Sequence, residues 1–183
     1  MKLIKRLIGN ISLLVTTTLL VCNVNAEAQS VELEKSFVVK NYKVSISFPK
    51  KWKVETKNNN PFDLQCTNGS AFASVFVFYK VDLKKGQTPM NIFHIQNDDI
   101  IRKRSEVEII NEEKTEKLDT KKIHSLLFSA EKDGSKNYYY CNLVEFDEGS
   151  DRFVWILFTS LPSYALANLE TMKKIVASTV LIQ

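Results

Sequence analysis

Two histidines, His94 and His124, and three cysteines, Cys22, Cys66 and Cys141, are the residues of this 183-residue chain best suited to metal or covalent chemistry. A zinc site needs three or four converging ligands. The chain has no His-x-x-x-His and no Cys-x-x-Cys, so spacing points to no metal; one histidine joined by acidic residues is the remaining possibility. Cys141 and His124 fall on neighbouring strands of an expected meander, where a thiol–imidazole pair could be assembled. A catalytic thiol needs an exposed, activating site, whereas Cys141 lies in an aromatic run, as a core or disulfide cysteine would. Asp98-Asp99 and Glu112-Glu113 are adjacent in sequence, so their side chains diverge and read as solvated faces. Lys50, Lys51 and Lys53 flank Trp52 and form a candidate docking surface for an acidic partner or anionic headgroups; edge lysines around a buried tryptophan are the plainer reading. Tyr138 and Tyr140 share one face of a strand, for packing or for stacking on a ligand. No catalytic constellation and no cofactor motif emerges.

The first residues belong to a separate object. Lys2, Lys5 and Arg6 precede an apolar stretch from about Leu7 to Val21, and Val24-Asn25-Ala26 places small residues at −3 and −1 of a cleavage site. This is the layout of a secretory signal peptide cleaved after Ala26, with Ala28 offering a second site. Two rivals stay open: lipidation of Cys22, and an uncleaved anchor. Residues 1–26 carry three basic and no acidic side chains, so the formal charge of +4 falls to +1 in the mature chain. A nucleic-acid partner is therefore not expected, and membrane association only if the chain is lipidated or uncleaved. In an oxidising compartment Cys66 and Cys141 are either a disulfide pair or two separate buried thiols.

With 44% hydrophobic and 25% charged residues, the composition is that of an ordinary globular domain. Asn68-Gly69 and Asp133-Gly134 lie between strand-like runs and predict tight hairpin turns. Strands are expected at 44–48, 52–55, 63–67, 71–80, 123–130, 138–146 and 153–158, with a short charged edge strand around Val107, Ile109 and Ile110. The long runs are apolar on both faces and must be covered on both. Helices are the available cover. One is expected over 89–103, with Thr88 as N-cap and Pro89 at its first position; its stripe is Met90, Phe93, Asn97, Ile100 and Ile101. The other runs from about Ser163 to Ser178. The fold class is α+β: an antiparallel sheet of six or seven strands with helices on both faces.

Tyr42 to Trp52, a short strand running into Pro49-Lys50-Lys51-Trp52, resembles the opening of the PsbP-like superfamily. The segment from Pro162 through Lys174 to Ser178 is similar to its last helix. The superfamily includes photosystem II accessory proteins, a Ran-binding nuclear protein, DcrB-like bacterial envelope proteins and secretion-effector chaperones. The resemblance implies an α/β/α sandwich and a non-catalytic habit, and it carries over no site residues. The expected organisation is a signal peptide at 1–26, an N-terminal extension at 27–35 and one PsbP-like domain at 36–183. The expected role is an exported accessory or binding protein of the cell envelope, periplasmic in a Gram-negative cell and otherwise secreted. It would present a surface or cleft to an envelope protein or a small apolar ligand. A small envelope hydrolase or thiol enzyme, and a lipoprotein anchored through Cys22, are the alternatives.

Overall fold

A computed structural model describes residues 32–55, 62–147 and 149–182. The expected signal sequence, its expected cleavage site after Ala26, Cys22 and the 57–61 loop lie outside the described residues.

The hairpin dipeptides set the framework. Asp133 (φ 52°) and Gly134 (φ 75°) both take the left-handed conformation, as a two-residue type I′ turn requires. They join β7 (Lys121–Lys132) to β8 (Ser135–Phe146). Because the loop is two residues long, register follows without freedom: Lys132 faces Ser135, Leu127 faces Tyr140, and Ser125 faces Asn142. Asn68 stabilises the earlier turn by accepting at Oδ1 from the amides of Ser70 and Ala71. That turn joins β4 (Leu64–Thr67) to β5 (Ala71–Tyr79). The remaining members of this sheet are β3 (Lys53–Val54), β6 (Ser105–Leu118) and β9 (Arg152–Ser160). The seven strands run in the order β3-β4-β5-β9-β8-β7-β6, all antiparallel.

Both faces of the sheet are apolar, as its strand sequences require. On one side α1 (Pro89–Arg102) buries Phe93 among Phe128, Tyr139, Cys141, Leu143, Phe153 and Trp155. Thr88 caps the helix: its side chain accepts from the Asn91 amide while Asn91 Oδ1 accepts from the Thr88 amide. The cover on the other side corrects the expectation of helices alone. A second sheet of three strands, ordered β1-β2-β10, lies there, formed by β1 (Lys35–Val39), β2 (Val44–Phe48) and β10 (Val180–Leu181). Its Val39, Val44, Ile46 and Phe48 share one core with Val75, Val154, Ile156 and Phe158 of the large sheet. Two short helices contribute beside it, α2 (Pro162–Ala167) and α3 (Leu169–Ala177). Met172, Ile175 and Val176 of α3 enter that same core.

Three further differences have local causes. The single helix expected over 163–178 is broken at Asn168, whose backbone leaves the helical region (φ −121°, ψ 14°) and whose Nδ2 donates to the Tyr164 carbonyl. The short edge strand is 14 residues long, because its charged side chains project to the two faces of the sheet and leave the backbone free to pair with β7, with register shifts between Ser105 and Lys114. β1 begins at Lys35, the last residue of the expected extension, and Leu33 packs against the core.

Cys66 and Cys141 are both free and buried. Cys66 pairs in register with Ala73, Ala73 with Phe158 and Phe158 with Tyr140. Cys141 is the next residue along, so its side chain points to the opposite face. Of the two readings of this pair, separate buried thiols is the one the structure adopts. The bridge is excluded by two intervening strands and by the sheet itself.

Candidate functional site

β6 carries two different surfaces because strand side chains alternate. Residues 113 and 115 face α1; residues 110, 112, 114, 116 and 118 face the side of α3.

On the α1 side, Thr115, His124 and Glu145 form a cross-strand chain. His124 Nδ1 lies 2.7 Å from Thr115 Oγ1, and Nε2 lies 2.8 Å from Glu145 Oε1. An ionised carboxylate can only accept, so Nε2 is the donor to Glu145; in that neutral tautomer Nδ1 accepts from the Thr115 hydroxyl. In outline this is a hydroxyl, a base and an orienting carboxylate. The imidazole is buried at 7% exposure and lines none of the hollows described below. It therefore acts as a clamp across β6, β7 and β8.

The Cys141–His124 pair does not form. Both ring nitrogens are engaged by Thr115 and Glu145, and complete burial pushes the Cys141 thiol far up, away from thiolate. His94 is exposed and bonds Glu113 at 2.9 Å. Asp99 pairs with Lys103 at 2.7 Å, which holds its carboxyl below the usual range. These acids are surface partners of α1 and β6. Among the described residues no three His, Cys, Asp or Glu side chains gather as a metal would require.

On the opposite side a groove runs between β6 and α3. One hollow of about 380 Å³ has Ser125, Leu127 and Tyr140 as its floor, Ile110 and Lys114 on the β6 wall, and Leu169 and Lys173 on the α3 wall. A second, of about 230 Å³, shares Ser125, Tyr140 and Lys173 and is lined by Leu118, Ile123 and Val176. The floor is placed by the Asp133-Gly134 turn, which fixes Leu127 opposite Tyr140. The α3 wall is placed by the helix, whose Leu169 and Lys173 are one turn apart and project to one side.

The α2–α3 segment is held at both ends. Asn68 Nδ2 donates to the Tyr164 hydroxyl at 2.5 Å. At the other end the buried Lys121 ammonium donates to the Thr179 carbonyl at 2.7 Å and to the Ala177 carbonyl. A cation there suits the negative end of the helix dipole. The Ser47 amide donates to Ser178 Oγ at 2.9 Å, tying the helix end to β2. The α3 wall of the groove is thus tied at its C-terminal end to β7 and β2.

Its floor is chemically quiet. Burial pushes the Tyr140 hydroxyl up to about 12, against the opposing effect of its hydrogen bond with Ser125. Tyr140 also stacks on Phe158 with ring centroids 6.1 Å apart. It presents a neutral hydroxyl beside apolar surface, suited to a ligand that is mostly apolar with one polar group. Sequence reasoning placed Tyr138 and Tyr140 on one face but not the groove, because nothing in the sequence says that β6 and α3 stand apart over that face.

Lys50 and Lys51 are exposed in the turn after β2, and Lys53 is exposed in β3. Trp52 between them is 1% exposed, packed on Phe48 and Phe158. Lys50 makes a loose ion pair with Glu34 at 3.9 Å.

No family model matches the sequence, and no curated protein matches it either. Solved structures do. Cyanobacterial PsbP (CyanoP) from Synechocystis superposes with a TM-score of 0.59 at 9% identity, covering 81% of this chain and 92% of that one. The Ran-binding protein Mog1p of Saccharomyces cerevisiae gives 0.58 at 13% identity over 83% and 97% of the two chains. The fold is PsbP-like. LpqN of Mycobacterium tuberculosis, involved in cell envelope biogenesis, also matches at 0.58 and 10% identity, over 76% of this chain and 83% of that one. Identities this low establish the PsbP-like architecture alone.

Proposed function

We propose that this chain is an exported, non-catalytic accessory protein of the cell envelope, whose PsbP-like domain binds a protein partner or a small apolar ligand in the groove between α3 and β6. The observation that carries the reading is the groove itself: apolar walls from Ile110 and Leu169, a floor of Leu127 with the neutral hydroxyls of Ser125 and Tyr140, and an α2–α3 segment anchored at both ends. A preformed concave site of this kind loses little entropy when it is filled. Neighbours whose names record Ran binding and envelope biogenesis fit an accessory role. Export rests on the basic, apolar and small-residue order of residues 1–26, with a periplasmic location in a Gram-negative host. Among the described residues no helix is long and apolar enough to cross a membrane. Lys50, Lys51 and Lys53 form a second contact surface in this reading, for an acidic partner or anionic headgroups.

Expression of the full chain in a Gram-negative host tests export: a periplasmic product whose intact mass begins at Glu27 is expected, and a product retaining residue 1 or carrying lipid on Cys22 contradicts it. Titration with N-phenyl-1-naphthylamine, a neutral apolar fluorophore, tests the groove. Saturable 1:1 enhancement is expected, weakened about tenfold or more by Leu169→Asp, which puts a charge on the α3 wall. Enhancement that Leu169→Asp leaves untouched would place binding elsewhere.

A further inference from the structure

A sheet edge with unpaired backbone groups is a template for another strand, and proteins blunt such edges by keeping them short or by charging them. The seven-stranded sheet treats its two edges differently. β3 is two residues long; β6, at the other edge, is 14. Among the described residues no strand pairs with the outer side of β6, and all but one of its residues are exposed.

The backbone of β6 is most regular at its far end. Register shifts occur between Ser105 and Lys114, whereas Lys114 to Leu118 pair continuously with Ser125 to Lys121. The β6–β7 loop is the two residues Asp119 and Thr120, so Leu118 and Lys121 form the hydrogen-bonded pair that closes the hairpin. In an antiparallel ladder such pairs alternate with non-bonded ones. Glu116–Ile123 is then bonded, and Thr115 and Lys117 turn their amide and carbonyl groups outward, away from β7.

Charge along the whole length of β6, with Glu106, Glu108, Glu112 and Glu113 ahead of the regular stretch, says what fits. β6 holds Glu106, Glu108, Glu112, Glu113 and Glu116 against Lys114 and Lys117, a net of −3. Glu108 is paired with Lys136, Glu113 with His94 and Glu116 with Lys114. Glu106 and Glu112 make no ion pair among the described residues. Two copies of β6 laid together would bring −3 against −3, and like charges across a strand pair are unfavourable. The exposed Val107 and Ile109 (38% and 48%) supply apolar contact along the same edge.

We infer that β6 is an acceptor for strand addition by a cationic extended segment of another protein, one alternating Lys or Arg with β-branched residues. Thr115 and Lys117 provide the backbone hydrogen bonds, and the glutamates select the positive partner. This names the partner chemistry within the accessory role proposed above and rests on that reading. The surface is the strand edge, separate from the groove floor.

The test uses the full chain and a synthetic peptide of about ten residues alternating Lys with Val, long enough to span an ordinary strand. A Glu–Val peptide of the same length is the control. Binding of the Lys–Val peptide should slow amide exchange at Thr115 and Lys117 by about tenfold or more, and the Glu–Val peptide should give no slowing. Lys117→Pro removes an outward amide at an edge position where proline is tolerated, and it should weaken the Lys–Val peptide about tenfold. Should that variant fail to fold, Glu106→Lys with Glu112→Lys keeps the backbone and should weaken binding similarly. Equal binding of both peptides, or Lys–Val binding unaffected by Lys117→Pro in a folded protein or by the glutamate reversal, overturns the inference. So does peptide-free protection of the same amides that rises with protein concentration, which assigns the edge to a second copy. N-phenyl-1-naphthylamine titrated into the unsubstituted protein separates the two claims: no Lys–Val binding with the groove occupied rejects strand addition alone, and peptide binding without groove binding rejects the groove reading alone.

Discussion

Thiol labelling of Cys66 and Cys141, with and without reductant, examines the core directly. The row Cys66–Ala73–Phe158–Tyr140 crosses three strand intervals. At roughly 4.8 Å each these separate the backbones by about 14 Å, twice the ~7 Å beyond which a disulfide cannot close. The two side chains also point to opposite faces. Burial pushes the Cys66 thiol from 9.0 up to about 12, which lowers its thiolate fraction near neutral pH about a thousandfold relative to an exposed thiol. Both residues are 0% exposed, so a reagent reaches them only through opening of the fold. A domain stable by roughly 5 kcal/mol or more would then label at least about a thousandfold more slowly when native than when unfolded. The assay is alkylation followed by peptide mapping of these two positions. Without reductant, both are expected to be unlabelled in native protein and fully labelled in denaturant, and reductant should leave Tm unchanged. A bridge enclosing about 75 residues would contribute roughly 4 kcal/mol, and reducing it would lower Tm by roughly 8–16 °C. Unlabelled cysteines in denaturant without reductant, or a Tm that falls with reductant, would refute the placement. Rapid native labelling of Cys141 would refute its burial.

Two other outcomes follow from the core. Asn97 on α1 is 3% exposed, and neither its Oδ1 nor its Nδ2 finds a hydrogen-bond partner among the described residues; Asn97→Leu should stabilise the protein by about 1–3 kcal/mol in urea unfolding, and a loss of stability would mean the side chain is satisfied. The raised Cys66 thiol makes the folded state hold a proton that the unfolded state releases, so its contribution is complete below about pH 9 and is lost as pH rises towards 12; Cys66→Ala should remove about 1.4 kcal/mol per pH unit of alkaline destabilisation in that window, and an unchanged slope would show that Cys66 ionises as an exposed thiol does.

How far the sequence reaches is clear from particular residues. Asp133-Gly134 fixed the turn and with it the neighbouring strands that carry His124 and Cys141. Thr88-Pro89 fixed the start of α1. These are local signals, set by φ preferences and capping within a few residues. The three-stranded sheet was not legible, because β2 pairs with β10 from the far end of the chain and the two residues of β10 carry no pattern. β6 was underestimated because its glutamates and lysines mask a strand whose order comes from pairing with β7. The break at Asn168 was hidden because apolar spacing continues through it. The groove depends on the gap between β6 and α3, elements about 50 residues apart in sequence, and is a property of packing that no local pattern encodes.

The groove is also where the account is most exposed. Amide chemical shifts of the protein should be followed during titration with N-phenyl-1-naphthylamine. The account expects saturable shifts centred on Ser125, Leu127, Tyr140 and Leu169, with the edge amides of β3 and the Lys50–Lys53 turn unmoved. Shifts scattered over the surface, or none at these four residues when the probe is in excess, would contradict it.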